Sequence, residues 1–301
     1  MAGLGSARAL LALAVLTLIW GYTWVIAKQA LDFAGPFAMA AWRAVAGTGV
    51  LFIALALMRR PLGLVAPLKT AIVGLFQTGA FIALSTWALV DVGAGRTAVL
   101  IFTMPIWTLL LAWLILGERI RGAQWAAAVS TLSGLALIIQ PWNLHASLQA
   151  KVLAILAAMA WALSIILVKR WRKALAADVL SLTAWQMAFG SALLVAVALA
   201  VPEKPTQWSP HFIALLAWMA LGATALGWLL WLHVLERLPA WQASLSVLGI
   251  PVVAILSSRL QLDERVDALE AAGMLLIGAG LVLISFLNWR SQRRINSEPS
   301  P

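Results

Sequence analysis

Few residues in this chain could do chemistry, and their positions restrict what that chemistry is. Cysteine is absent, so disulfides and thiolate nucleophiles are excluded and no redox compartment can be read. His145, His211 and His233 are scattered, without the spacing of a metal site. No Ser-His pair or paired carboxylates stand inside an apolar run, as an intramembrane enzyme would require. No catalytic activity, cofactor or metal is expected. One basic residue, Arg43, does lie deep in an apolar run, about 10 Å along a helix from Pro36. Its planar fork could hold a substrate carboxylate; equally, it could snorkel outward.

The remaining candidates are hydrogen-bonding and aromatic. Trp20 and Trp24 share one helical face with Thr23 beside them, and Trp161 with Ser164 repeats the pattern later. Gln77, Phe81 and Ser85 form a stripe at four-residue spacing, and Thr78, Thr103, Thr108, Ser244 and Ser246 add hydroxyls. Trp107 and Trp185 also fall well inside apolar runs, and Gln186 follows Trp185. These residues suit an aromatic-lined cavity for a small molecule. The structural alternatives are interfacial tryptophan belts and Ser or Thr bonding to their own helix.

Two stretches carry a third signal, "TMPIWTLLLAWLILGERI" at 103–120 and "GIPVVAILSSRLQLDERV" at 249–266. Pro105 and Pro251 each stand 13 residues before a glutamate, Glu118 and Glu264. A proline without an amide proton bends or loosens a helix, so the pair reads as two hinges, although membrane helices tolerate proline in general. Glu118-Arg119 and Glu264-Arg265 read as helix ends anchored among headgroups, with a gate-side ion pair as the alternative.

What must position these residues is a set of membrane helices. With 63% hydrophobic and 11% charged residues, the chain has too little polar surface for a soluble globule. Ten apolar segments, near 8–28, 36–57, 68–90, 95–117, 123–141, 147–169, 178–201, 210–235, 240–262 and 268–288, approach the roughly 20 residues of a transmembrane helix. Pro36, Asp178 and Pro210 mark helix starts. Fourteen Lys and Arg flank one side of these segments and six the other, which places both termini in the cytoplasm. That bias toward anionic lipid accounts for the net charge of +10, so a lipid bilayer and no nucleic acid is the expected partner.

An internal repeat organises the segments. "WGYTWVIAK" at 20–28 aligns with "WALSIILVK" at 161–169, and "AAWR" at 40–43 with "TAWQ" at 183–186. The expected units are 1–142, 143–289 and a disordered cytoplasmic tail, 290–301. Five helices per unit is an odd number, so the second unit enters the membrane inverted. The fold class is therefore all-α, with ten transmembrane helices in two inverted five-helix repeats, an arrangement usual in secondary transporters.

The Trp-Gly-x-x-Trp opening, the two central prolines and the Gly-Glu-Arg and Asp-Glu-Arg endings together resemble the drug/metabolite transporter superfamily, in its ten-helix EamA-type branch. The likeness spans residues 8–288. It implies a bacterial inner-membrane exporter of small metabolites, amino acids and aromatic ones among them. It also implies that spans one to four and six to nine surround a central cavity while five and ten sit outside. The chain differs from the superfamily's small multidrug members, which rely on a buried glutamate: no Asp or Glu lies mid-span here. Facilitated diffusion or exchange of a neutral or zwitterionic substrate by alternating access is thus expected; a proton-coupled multidrug or other metabolite exporter is the alternative. Small residues on spans five and ten, including Ser130, Gly134 and Gly273, favour packing within the bundle over dimerisation, with monomer and homodimer both open.

Overall fold

A computed structural model describes residues 2–120, 122–140, 148–237 and 249–297. These form ten helices: α1 (Ala2–Ala30), α2 (Pro36–Leu57), α3 (Pro67–Asp91), α4 (Ala94–Leu116), α5 (Gly122–Ile139), α6 (Leu148–Arg170), α7 (Val179–Ala200), α8 (210–237), α9 (Gly249–Gln261) and α10 (Ala268–Ser297). Among the described residues nine are long and apolar enough to cross a membrane, while α9 is described only from Gly249. The helix α10 continues to Ser297, past the expected start of the tail, because no proline or glycine interrupts 281–297.

Local chemistry sets the helix ends. Pro36 and Pro210 occupy first turns, where the missing N–H costs nothing, and the Ser209 hydroxyl accepts from the Phe212 amide. The Asp178 carboxylate caps α7 by accepting from the Ser181 amide at 3.0 Å. Gly117, at φ +69°, ends α4 in the left-handed conformation that a glycine adopts without strain. The Gly-Glu-Arg signature is therefore first of all a helix stop.

Two kinds of irregularity interrupt the long helices at mid-membrane. The helix α4 breaks at Phe102 and Thr103, between Ala94–Ile101 and Met104–Leu116, and Pro105 sits in the first turn of the second piece. Lacking an amide proton, Pro105 leaves the Ile101 carbonyl without its usual helical donor. Both α3 and α8 contain π-helical segments, Leu75–Ala80 and Trp218–Leu226. Thr78 and Thr224 lie within them, 146 positions apart, as are Pro105 and Pro251 and the two glutamates.

The packing repeats across the two halves. Helix α1 packs on α8 and α9, and its counterpart α6 packs on α3 and α4. The pairs α2–α7, α4–α9 and α5–α10 each join equivalent helices. That exchange is what a two-fold axis in the membrane plane produces, and it makes the second unit an inverted copy of the first. At the periphery α5 and α10 interlock so closely that a Cβ on Gly134 would stand 2.5 Å from the Gly273 carbonyl oxygen. The Ser130 hydroxyl donates to the Leu276 carbonyl across the same seam at 2.8 Å. The small-residue stripes thus pair with each other inside the chain.

The two membrane faces differ. On the far face, where α1 ends, Val25, Ile26, Ala30, Met39, Leu89, Phe212 and Met219 form one buried apolar cluster joining α1, α2, α3 and α8. Above it the Glu203 carboxylate accepts from the Phe37 and Ala38 amides at 3.0 and 2.8 Å. Glu264 accepts from the Ala94 and Gly95 amides at 2.6 and 3.2 Å, capping α4 from the opposite repeat. On the N-terminal face the repeat mate Glu118 pairs instead with Lys169. Among the described residues two clusters lie there, one joining α1 to α8 and another α2 to α7.

Candidate functional site

A cavity of about 500 Å³ lies between the repeats, within the size range of small-molecule sites. Its walls are contributed by α1 to α4, α6, α7, α8 and α9, with one residue, Ser285, from α10. From α1 come Trp20, Thr23 and Trp24, the residues of the opening motif. Gly21 between them is needed elsewhere: its Cβ would stand 2.5 Å from Val253 Cβ, so glycine lets α1 approach α9.

Backbone irregularity and aromatic walls meet at this point. The Trp20 indole N–H donates to the carbonyl of Ala223, inside the α8 π segment, at 2.9 Å. Its ring packs edge-on against Trp228, with centroids 6.4 Å apart. Trp161 in α6 packs against Phe81 of α3 in a tilted arrangement, with centroids 4.8 Å apart. The Thr23 hydroxyl donates to the Ile19 carbonyl and accepts from the Trp218 indole, so it is already engaged. Ser85 likewise donates to the Ile82 carbonyl.

The polar residues with the longest reach and no such engagement are Arg43, Gln77 and Gln186; the Thr78 and Ser285 hydroxyls also line the cavity. Arg43, Gln77 and Gln186 all line the cavity, and none of the three makes a hydrogen bond or ion pair among the described residues. Arg43 therefore faces the cavity and does not snorkel to the headgroups. Its repeat counterpart Gln186 is 4% exposed, so the charge stands on one wall only. Among the described residues no acidic side chain lines the cavity, and 238–248, outside the described residues, contain no Asp or Glu.

Not every sequence candidate reaches this cavity. The Thr103 hydroxyl is fully buried at the α4 break, where it donates to the Leu100 carbonyl and accepts from the Trp107 indole. Trp107 packs into the core between α4, α5 and α6. Ser164 is buried against its own helix, donating to the Trp161 carbonyl. Trp185 turns toward the α2–α3 connection, its indole donating to the Leu62 carbonyl at 2.9 Å. In each case position along the helix is mid-span, but the face is the wrong one for the cavity. Ser244 lies outside the described residues. Pro105 lines the cavity, whereas Pro251 is buried beside the lining residue Ile250.

Sequence reasoning passed over Thr183, Met187 and Phe102, which complete the wall. Their types carry no signal, since only helix rotation selects them. Thr78 and Thr224 had a signal in their equivalent repeat positions. The π segments that turn them inward had none.

Inverted five-helix repeats around a central cavity define a multi-pass membrane transporter. The EamA-like transporter family model matches residues 7–140 and again 149–286, so the chain belongs to that family. It is similar to "Uncharacterized transporter YoaV" of Bacillus subtilis (strain 168), 27% identical over 93% of this chain and 97% of that one. It is also similar to "Probable amino-acid metabolite efflux pump" of Escherichia coli (strain K12), 27% identical over 94% and 97% of the two chains. A solved crystal structure shares the fold at a TM-score of 0.66 and 18% identity, covering 93% of this chain and 96% of the other.

Proposed function

We propose that this protein exports small metabolites, amino acids including aromatic ones foremost, by alternating access around the central cavity, and that it is not an enzyme. The observation that carries the reading is the unpaired Arg43 guanidinium in a cavity walled by Trp20, Trp24, Phe81 and Trp161. A carboxylate can bind bidentately to such a group, and an aromatic or aliphatic body fills the remaining walls. Gln77, Gln186 and Ser85 supply further hydrogen bonds. The similarity to a protein named as an amino-acid metabolite efflux pump supports the substrate class.

Lys and Arg asymmetry supports both termini being cytoplasmic, in the inner membrane of a bacterium. On that orientation the far face, with the apolar cluster of Val25, Met39 and Phe212, is external. Pro105 and Pro251 serve as hinges, in the broken helix α4 and in its repeat counterpart α9, and each five-helix unit, 1–142 and 143–289, moves against the other. The absence of a mid-span carboxylate supports facilitated diffusion or exchange over proton coupling. The test is uptake of a panel of radiolabelled amino acids into proteoliposomes with and without a pH gradient. Saturable uptake of aromatic amino acids, unaffected by the gradient, is expected. Accumulation driven by the gradient overturns the facilitator mechanism, and no uptake of any amino acid overturns the substrate class.

A further inference from the structure

The cavity is matched to a carboxylate but offers no partner of opposite charge to an ammonium. We infer that its preferred substrate is an apolar or aromatic monocarboxylate anion whose nitrogen, if present, is acylated or otherwise uncharged, and that its movement is electrogenic. The inference rests on the transporter reading above and, at the same site, ranks such anions above the free amino acids.

Charge balance carries the argument. Arg43 holds one positive charge in an apolar cavity with no acid among its described lining residues, and a buried charge is tolerated best when paired. A monoanion brings the site to neutrality. A zwitterion would neutralise Arg43 but bury a second cation, facing the neutral amides of Gln77 and Gln186, hydroxyls such as those of Thr78 and Ser85, and the indole rings, none of them charged. Contact with an aromatic face repays only part of the dehydration of an ammonium. The walls that suit the apolar body therefore penalise the α-amino group.

A consequence links the cavity to the missing proton relay. A monoanion leaving a cell with a negative interior moves down the electrical gradient, and 100 mV shifts its equilibrium ratio by about fiftyfold. Outward transport of such a substrate needs no titrating carboxylate in a span, and the sequence has none there.

The test reconstitutes the full chain in proteoliposomes and measures uptake of radiolabelled N-acetyl-L-phenylalanine, L-phenylalanine and phenethylamine. Valinomycin and a potassium gradient set the potential, and protein-free vesicles supply the background. The expected result is faster uptake of N-acetyl-L-phenylalanine than of the other two, with accumulation approaching fiftyfold at 100 mV lumen-positive and falling when the potential is reversed. Arg43→Gln removes both the preference and the voltage response, while Arg43→Lys retains the voltage response at lower affinity. Uptake of L-phenylalanine equal to or above that of the anion, without net charge movement, overturns this inference and leaves the amino-acid reading standing. Transport of phenethylamine alone, or of none of the three, overturns both. Retention of anion preference in Arg43→Gln overturns the role assigned to Arg43.

Discussion

Gly21 and Asp267 show how much depends on single side chains outside the cavity. Because Gly21 meets Val253 and the Ile250 carbonyl at van der Waals limit, Gly21→Leu forces α1 away from α9. Overpacking of this kind costs about 1–3 kcal/mol, so the variant's melting temperature in detergent is expected to fall by several degrees; an unchanged value would show that the approach is slack. Asp267 and Glu270 form a capping box at the start of α10: the Glu270 amide donates to Asp267 at 2.7 Å and the Asp267 amide to Glu270 at 3.2 Å. Asp267→Ala is expected to lose about 1 kcal/mol. The Glu270 amide, helped by the Gln140 side chain, holds the Asp267 carboxyl below its usual range. Its folded pKa is depressed, so its stabilisation is present above about pH 4, the unfolded value, and is lost as pH falls through the folded one. The melting gap between wild type and Asp267→Ala should therefore be full at pH 6 and close on acidification below 4.

At the scale of helices, the Glu-Arg ending of α9 does more than anchor a terminus. Glu264 ties α9 to the first turn of α4 across the repeat boundary. Arg96 reaches Glu270 at 2.8 Å beside it, which joins α4 to α10 as well. Removing the Glu264 charge weakens the helix cap while leaving the apolar cluster of Val25, Met39 and Phe212 in place. Glu264→Gln is expected to raise access to the cavity from the far face. The chain has no cysteine, so Ala27→Cys, on the cavity wall, can report this without background. Labelling by a membrane-impermeant maleimide from the far face should accelerate several-fold in the double variant. Equal rates with and without Glu264 would remove the latch.

The whole molecule is a two-fold assembly, and its symmetry makes a prediction that neither half makes alone. Glu118 occupies the position equivalent to Glu264 but pairs with Lys169. By the 146-residue offset its equivalent partners are Ala240 and Trp241, outside the described residues, so Glu118→Gln should favour cavity access from the N-terminal face and slow far-face labelling of Ala27→Cys. The same shift in both variants would argue against symmetric latches. The sequence by itself determined ten apolar segments, their pairing into inverted units and the uncommon residues that matter: Arg43, the prolines and the repeated Glu-Arg. Those follow from hydropathy, charge and repetition, which act along the chain. Only the tertiary structure decided that Arg43, Gln77 and Gln186 face one cavity while Thr103, Trp107, Ser164 and Trp185 do not. Mid-span depth is linear in sequence, but the face a residue presents depends on helix rotation, on the α4 break and on π turns that shift the register downstream.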